Sequence, residues 1–200
     1  GGHLAQLVEL VPRIKGLGSK RLWVTFDSPQ SRSLLANEAC HFIAPIGERD
    51  VLGVARGLAV CRELLHRLPV ERVISTGSAI ALAFLPYATL RGIEAHYIES
   101  SARVGAPSLT GRLLARWPGL RLYRQYPHAA GGRWDYVGSV FEAFNVEVMP
   151  GWTEEPRRFV VTLGGVTQSF RRLLEHLLPL FPPNAEVLWQ TGHTPVHDLP

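Results

Sequence analysis

The segment Arg158-Phe-Val-Val-Thr-Leu-Gly-Gly-Val-Thr-Gln-Ser-Phe170 has the pattern of a buried strand, a glycine turn and the start of a helix. Such a junction points several backbone N–H groups at one position, where the helix dipole also favours negative charge. The segment therefore predicts a phosphate site. It is neither G-x-G-x-x-G nor a Walker A loop, and its spacing alone is equally consistent with a simple tight turn.

Strands and helices alternate upstream of this segment, which predicts an α/β fold with a parallel, doubly wound sheet. Strands are predicted at 21–26, 40–44, 72–76, 95–99 and 120–123, and helices at 1–11, 28–39, 50–68 and 79–90. A further helix at about 168–180 and a strand at 185–190 follow the opening segment. The helix at 50–68 is expected to bury an apolar face that includes Leu52, Leu58, Leu64, Leu65 and Leu68.

The stretch 149–157 contains two prolines and a glycine and is the predicted linker between two domains. It separates a first domain at 1–148 from the start of a second at 158–200. We expect the chain to be truncated at both ends. The glycine turn at Gly1-Gly2 opens a helix and in α/β folds normally follows a strand, and the second domain would continue beyond Pro200.

The composition bounds the class of protein. Hydrophobic residues make up 46% and charged residues 19% of the 200 residues, which excludes a disordered or fibrous chain. Only two cysteines are present, Cys40 and Cys61, so no disulfide framework is predicted and a reducing compartment fits. The longest apolar run, 79–90, is shorter than the ~20 residues that a membrane-spanning helix needs.

The formal net charge of +4 is concentrated in one stretch. No Asp or Glu lies between Glu99 and Asp135, whereas six arginines alternate there with leucines and aromatic residues. The region Arg103–Arg133 therefore predicts a surface that meets a membrane or a lipid-linked diphosphate. A solvated basic face is the plainer alternative. Nucleic-acid binding is not favoured, because lysine is absent from this stretch.

Four loops at strand ends or helix starts carry glycine or polar residues, and ligands bind at the carboxyl edge of open α/β sheets. They are Gly1-Gly2-His3, Thr76-Gly77-Ser78, Glu99-Ser-Ser-Ala-Arg103 and 164–168. His3 could take the proton of a substrate hydroxyl, or simply cap its helix. Glu99 ends a buried strand, where it is either functional or paired with Arg103.

His193 follows the last predicted strand, in Gln190-Thr-Gly-His193, where it could contact a diphosphate or a ribose. The other histidines show no metal-ligand spacing, and neither cysteine has a C-x-x-C partner. The sequence therefore predicts no metal site.

Together these motifs resemble a glycosyltransferase family. Gly1-Gly2-His3, Ile74–Ala81, Tyr97–Val104, Pro107–Gly111 and Val137–Phe141 are similar to the Alg14-type subunit and its bacterial PssD and EpsE counterparts. The last part of the chain, with Val160–Phe170 and Gln190–His193, is similar to the Alg13-type partner subunit. The chain thus resembles a fusion of the two, and this family is similar to the peptidoglycan transferase MurG in having a GT-B fold.

The resemblance implies an inverting glycosyltransferase of surface or exopolysaccharide biosynthesis. It would transfer a sugar from a UDP-sugar to a polyprenyl-diphosphate-linked acceptor, without a cofactor, from the cytoplasmic face of the plasma membrane. Domain 1–148 would meet the acceptor and the membrane, and the domain that starts at 158 would hold the UDP-sugar. By match to the family motifs, the catalytic candidates are His3 and Glu99, the acceptor-side residues are Gly2, Gly77, Ser78 and Arg103, and the donor-side residues are Gly164, Gly165, Thr167, Gln168, Gly192 and His193.

The chain departs from the family pattern at two points. The family often has an acidic residue three positions after the histidine, where this chain has Gln6. The glycine-rich loop and acidic residue that complete the donor site would lie beyond Pro200, so we expect this fragment alone to be inactive. Two alternative functions are a non-catalytic, membrane-recruiting subunit of a glycosyltransferase complex and a GT-B-fold UDP-sugar epimerase.

Overall fold

The structure is a computed structural model that describes residues 2–47, 49–147, 156–163 and 169–197. The chain divides into two compact units, Gly1–Asn145 and Val146–Pro200. The linker predicted at 149–157 lies largely outside the described residues. The assignment of the two units to acceptor and donor sides stays a prediction.

The first unit alternates short strands with helices. Its strands are β1 (Trp23–Phe26), β2 (Cys40–Ile43), β3 (Arg72–Ser75), β4 (Glu94–Ile98), β5 (Arg121–Arg124) and β6 (Trp134–Tyr136). Its helices are α1 (Gly2–Leu10), α2 (Pro29–Leu34), α3 (Val51–Arg67), α4 (Ala79–Leu90) and α5 (Leu109–Leu114). Short 3₁₀ turns add Val11–Arg13, Pro127–Ala129 and Val140–Ala143.

All strand pairs in this unit are parallel, which confirms the predicted α/β architecture. Strands β3, β4, β5 and β6 pair in that order, and β1 pairs with β2 in a separate ladder. The expected sheet is therefore in two parts, because no described strand pairs with both β1 and β3. Two short elements were not predicted from the sequence: α5, with six residues, and β6, with three.

Helix α4 forms the centre of the core. Its sequence is apolar all round, as expected for a helix that is covered on several sides. The side chains that it buries are Ala81, Ala83, Phe84, Leu85 and Ala88. These pack with buried residues of the sheet, including Ala95 of β4 and Leu122 of β5, into one hydrophobic cluster.

Helix α3 buries small residues instead of the predicted leucine face. Gly53, Gly57, Cys61 and Leu65 recur at four-residue spacing and are buried. A Cβ on Gly57 would lie 3.1 Å from the Cβ of Ala83, so glycine allows α3 to approach α4 closely. Burial raises the pKa of the Cys61 thiol to about 12.

The leucine-face prediction was therefore wrong at most of its positions. Leu52 is 77% exposed, and Leu58 and Leu68 are also exposed, whereas Leu65 is buried. The prediction rested on the large apolar residues and did not consider the glycines as part of the buried face. Glycine and other small residues mark a helix face that packs backbone to backbone.

The second unit contains β7 (Arg158–Thr162), α6 (Arg171–Leu177) and β8 (Glu186–Gln190), with β7 and β8 parallel. Phe181 packs edge to face with Phe159 of β7 and Trp189 of β8, at centroid distances of 4.9 and 5.6 Å. Helix α6 is shorter than predicted, because a 3₁₀ turn at Leu178–Leu180 replaces its last part. In the part of the chain that is described, no helix is long and apolar enough to cross a bilayer.

Candidate functional site

His3 lies at the start of α1 and is held against the end of β3. Its Nδ1 donates a hydrogen bond to the carbonyl oxygen of Thr76 at 2.9 Å, and Thr76 Oγ1 donates to the carbonyl oxygen of His3 at 2.6 Å. A carbonyl oxygen can only accept, so Nδ1 carries the proton. In the neutral ring Nε2 is then the proton acceptor, and the side chain is exposed to solvent. This orientation suits a general base.

The turn after β3 fits closely around the His3 ring. Gly77 has a φ of 128°, and a Cβ there would lie 2.8 Å from Cε1 and 2.9 Å from Nδ1 of His3. Only glycine combines this backbone conformation with this close approach. The prediction that Gly77 belongs to the same edge as His3 therefore has a direct geometric basis.

Ser78 is the N-cap residue of α4 and has a strained backbone, with φ 66° and ψ 173°. Its side chain makes no capping hydrogen bond, and the first turn of α4 contains no acidic residue. The first N–H groups of a helix lack partners within the helix and attract anions. The start of this 12-residue helix therefore lies beside His3 without a side-chain cap.

Glu99 is 1% exposed and is surrounded by hydrogen-bond donors. Its Oε1 accepts from the hydroxyl of Tyr97 at 3.2 Å and from the N–H of Ser100 at 3.0 Å. Its Oε2 accepts from the N–H of Ser108 at 2.8 Å and from Ser108 Oγ at 3.0 Å. These four bonds hold both ends of the loop 100–108.

The sequence offered an Arg103 ion pair as the alternative role of Glu99. The described residues contain no such pair within 4 Å, because Tyr97, Ser100 and Ser108 occupy the carboxylate instead. Burial raises the pKa of the Tyr97 hydroxyl, and the nearby Glu99 charge adds to this shift. Of the two candidates for the base, His3 alone has an exposed nitrogen that is oriented to accept a proton.

Gln6 joins α1 to the loop 100–108 and was not predicted as a site residue. Its Oε1 accepts from the N–H of Ser101 at 2.9 Å and from Gln125 Nε2 at 3.0 Å, and its Nε2 donates to Ser100 Oγ at 3.2 Å. Gln125 Nε2 also donates to the carbonyl oxygen of Glu99 at 2.9 Å. The signal was the position of Gln6 one helical turn after His3, which places both on one face of α1.

The donor-side candidates are only partly described. Gly164, Gly165, Thr167 and Gln168 lie outside the described residues, so their predicted roles stay predictions. Gly192, with φ 58°, and His193 lie in an exposed turn after β8. The buried Thr194 ends this turn and accepts a hydrogen bond from the N–H of Phe170 at 3.0 Å. The turn after β8 therefore contacts the start of α6.

The Arg103–Arg133 region is less uniform than its sequence suggests. Arg121 pairs with Glu94 at 2.9 Å, and Arg133 donates to the carbonyl oxygens of Ala115, Trp117 and Leu120. Arg124 is buried. The exposed arginines whose side chains have no partner among the described residues are Arg103, Arg112 and Arg116.

No three histidine, cysteine, aspartate or glutamate side chains come together as a metal site within the described ranges.

No protein-family model matches the sequence, and no curated protein matches it. Among solved structures, the chain is similar to the crystal structure of Acinetobacter baumannii MurG, with a TM-score of 0.56 and 14% sequence identity. The match covers 96% of this chain but 65% of the MurG chain, so the chain spans less than two thirds of its length. The predicted fold is confirmed. It is a GT-B-type α/β fold with Rossmann-like, parallel sheets.

Proposed function

We propose that this chain is part of an inverting glycosyltransferase that moves a sugar from a UDP-sugar to a polyprenyl-diphosphate-linked acceptor in surface or exopolysaccharide biosynthesis. The observation that carries the proposal is the His3–Thr76 pair of hydrogen bonds, which orients Nε2 of an exposed histidine as a proton acceptor. The GT-B-type fold and the similarity of the sequence motifs to that family support the same conclusion.

In the proposed reaction, the acceptor hydroxyl loses its proton to Nε2 of His3 and its oxygen attacks the anomeric carbon of the sugar. The bond between that carbon and the UDP oxygen breaks, and UDP leaves with the electron pair. Histidine is the side chain that most often serves as the general base in such a proton transfer. Positive or dipolar groups must stabilise the charge that develops on UDP. We assign that role to Gly164, Gly165, Thr167, Gln168, Gly192 and His193, with no metal or organic cofactor.

On the acceptor side, the start of α4 and the side chain of Arg103 are suited to the diphosphate of the lipid-linked acceptor. Gly2 and Gly77 leave room beside His3, and Ser78 is the N-cap residue that precedes the first turn of the helix. An uncapped helix start and a guanidinium are both recognised anion-binding groups. The acceptor diphosphate would thus lie within reach of the base.

The membrane-side role rests on α5 and its flanks. Leu109 and Leu113 are exposed and share one helix face with Arg112, and Arg116 follows one turn later. Exposed apolar side chains with arginines beside them suit an anionic membrane surface, which buries the apolar groups and attracts the cations. The same face favours the second candidate function, a non-catalytic subunit that recruits its partner to the inner face of the membrane.

The test is sugar transfer by the full-length protein, given a panel of UDP-sugars and a polyprenyl-diphosphate-linked saccharide in detergent. His3→Asn keeps a donor near Thr76 O but removes the base. We expect it to lower kcat by roughly 100-fold or more, while the UDP affinity is unchanged. The exposed Arg62 on α3 has no partner among the described side chains, and Arg62→Ala is the matched control with wild-type activity.

Three outcomes separate the candidates. Wild-type kcat in His3→Asn would remove the base role of His3. Co-sedimentation with anionic vesicles but no transfer would favour the recruiting subunit. Conversion of the UDP-sugar without any acceptor would indicate the epimerase.

A further inference from the structure

Arg124 is a buried cation without an acidic partner. It is 2% exposed, and no ion pair within 4 Å joins it to a carboxylate in the described part of the chain. Its guanidinium lies 5.6 Å from the ring centroid of Trp134, and its Nε has no hydrogen-bond partner. Burying an unpaired charge is costly unless its donors are used.

The donors of Arg124 go to the main chain of one loop. Nη2 donates to the carbonyl oxygen of Arg103 at 2.8 Å and to that of Gly105 at 2.6 Å. Two neighbours in sequence add to this set: the hydroxyl of Tyr126 donates to Ser101 O at 2.7 Å, and Nε2 of His128 donates to Val104 O at 3.2 Å. The segment 124–128 therefore binds successive carbonyl groups of the loop 100–108.

Glu99 binds N–H groups of the same loop. Its carboxylate accepts from the N–H groups of Ser100 and Ser108, so a buried anion binds the loop donors while a buried cation binds the loop acceptors. Hydrogen bonds to charged groups are stronger than those between neutral groups. The backbone of the loop is therefore fixed by two opposite charges rather than by apolar packing.

This fixed loop presents Arg103. The Arg103 side chain is exposed and has no hydrogen bond or ion pair to another described residue. Burial raises the pKa of the Tyr97 hydroxyl, and the charge of Arg103 opposes that rise. A Cβ on Gly77 would lie 3.5 Å from the Tyr97 hydroxyl, so Tyr97 lies beside the turn that contacts His3.

We propose that Arg124 is a positioning residue, which acts through the loop backbone to hold Arg103 as a pre-oriented binding group for a diphosphate anion. This inference rests on the proposed function for the source of the diphosphate, the lipid-linked acceptor. Pre-orientation increases affinity because less conformational entropy is lost on binding. Arg124 binds the backbone carbonyl oxygens of Arg103 and Gly105, so the backbone from which the Arg103 side chain extends is held in one position.

The test is a double-mutant cycle on binding of inorganic pyrophosphate to the full-length protein, measured by calorimetry at low salt. Arg103→Ala should weaken binding roughly tenfold, as expected for one lost charge-assisted contact. Arg124→Lys keeps the charge but removes the guanidinium whose Nη2 donates to the carbonyl oxygens of Arg103 and Gly105, and it should weaken binding about fivefold. In the Arg103→Ala background, Arg124→Lys should have no further effect, because its target is gone.

Tyr126→Phe tests the same proposal at a partly exposed position, where failure to fold is not expected. It removes one loop contact and should weaken pyrophosphate binding about twofold, again only when Arg103 is present. Arg62→Ala on α3 is the control for the loss of one surface charge. Hydrogen exchange of the Ser101 and Ser108 amides should become faster in Arg124→Lys, while that of β4 stays slow.

Additive effects of Arg103→Ala and Arg124→Lys would overturn the proposal, and so would a wild-type protein that does not bind pyrophosphate. The cycle is independent of sugar transfer. A protein that shows the coupling but transfers no sugar retains the positioning role of Arg124 and loses only the proposed function.

Discussion

Two neighbouring loops at the carboxyl edge of the sheet are built in opposite ways. In the loop 100–108, side chains bind both the backbone N–H groups and the carbonyl oxygens. Their donors and acceptors come from Glu99, Gln6, Arg124 and Tyr126. In the turn 76–78, the backbone is strained at Ser78, the helix start has no side-chain cap, and the imidazole of His3 keeps one nitrogen open. The comparison shows how one edge combines a rigid support with an unsatisfied, reactive surface.

The largest expected effect comes from breaking the rigid loop at Glu99. Glu99→Gln replaces an acceptor oxygen with an amide that faces the N–H and hydroxyl of Ser108. Leaving buried donors unpaired costs about 1–3 kcal/mol each, so we expect a loss of roughly 3 kcal/mol in the free energy of unfolding. Urea denaturation followed by circular dichroism measures it.

Glu94→Gln is the matched control for this change. Glu94 is partly exposed at the start of β4, the strand that Glu99 follows, and it pairs with Arg72 and Arg121. Ion pairs near the surface contribute little, so the loss in the free energy of unfolding should be much smaller than that for Glu99→Gln. Equal losses at the two positions would show that the buried network around Glu99 carries no special stability.

Gly77→Ala tests the reactive turn and should have the next largest effect. A methyl group there collides with the His3 ring in a backbone conformation that side chains rarely adopt, so we expect a loss of about 2 kcal/mol. Because His3 must move, sugar transfer should also fall, and steady-state kinetics measures this second effect.

The loss of stability expected for Gly77→Ala has two causes, the backbone conformation and the contact with His3, and Gly92→Ala separates them. Gly92 ends α4 with φ 72°, and a Cβ there meets no atom within 4 Å. It therefore carries the backbone penalty alone, about 1 kcal/mol, with unchanged kinetics. If Gly77→Ala matches this control in both measurements, then the contact with His3 is not important.

The sequence predicted the supporting fold better than the network within it. Strand–helix alternation identified five of the strands in the first unit, because apolar periodicity is local. It also placed His3, Gly77 and Glu99 at one edge, since parallel strands end together. The partners Gln6, Arg124 and Ser108 escaped prediction, because their roles depend on contacts between segments that are far apart in sequence.

One wrong prediction and one incomplete prediction share a physical reason. The α3 face was predicted from leucines, although Gly53 and Gly57 decide how closely the helix packs. The arginine-rich stretch was predicted as one surface, although Arg124 and Arg133 use their donors on carbonyl oxygens within the fold. Residue type alone does not show whether glycine is a hinge or a contact, or whether arginine is a surface charge or a clamp.

The smallest expected effect is at Ser78, where a substitution should relieve strain rather than create it. The Ser78 backbone, at φ 66° and ψ 173°, lies in a region that is almost restricted to glycine. Ser78→Gly should therefore raise the free energy of unfolding by up to about 1 kcal/mol, the strain relief less the entropy cost of glycine. A stability gain with weaker pyrophosphate binding would mean that the strained serine holds the start of α4 for an anion. A gain with unchanged binding would locate the anion elsewhere and leave the turn 76–78 as a support for His3 alone.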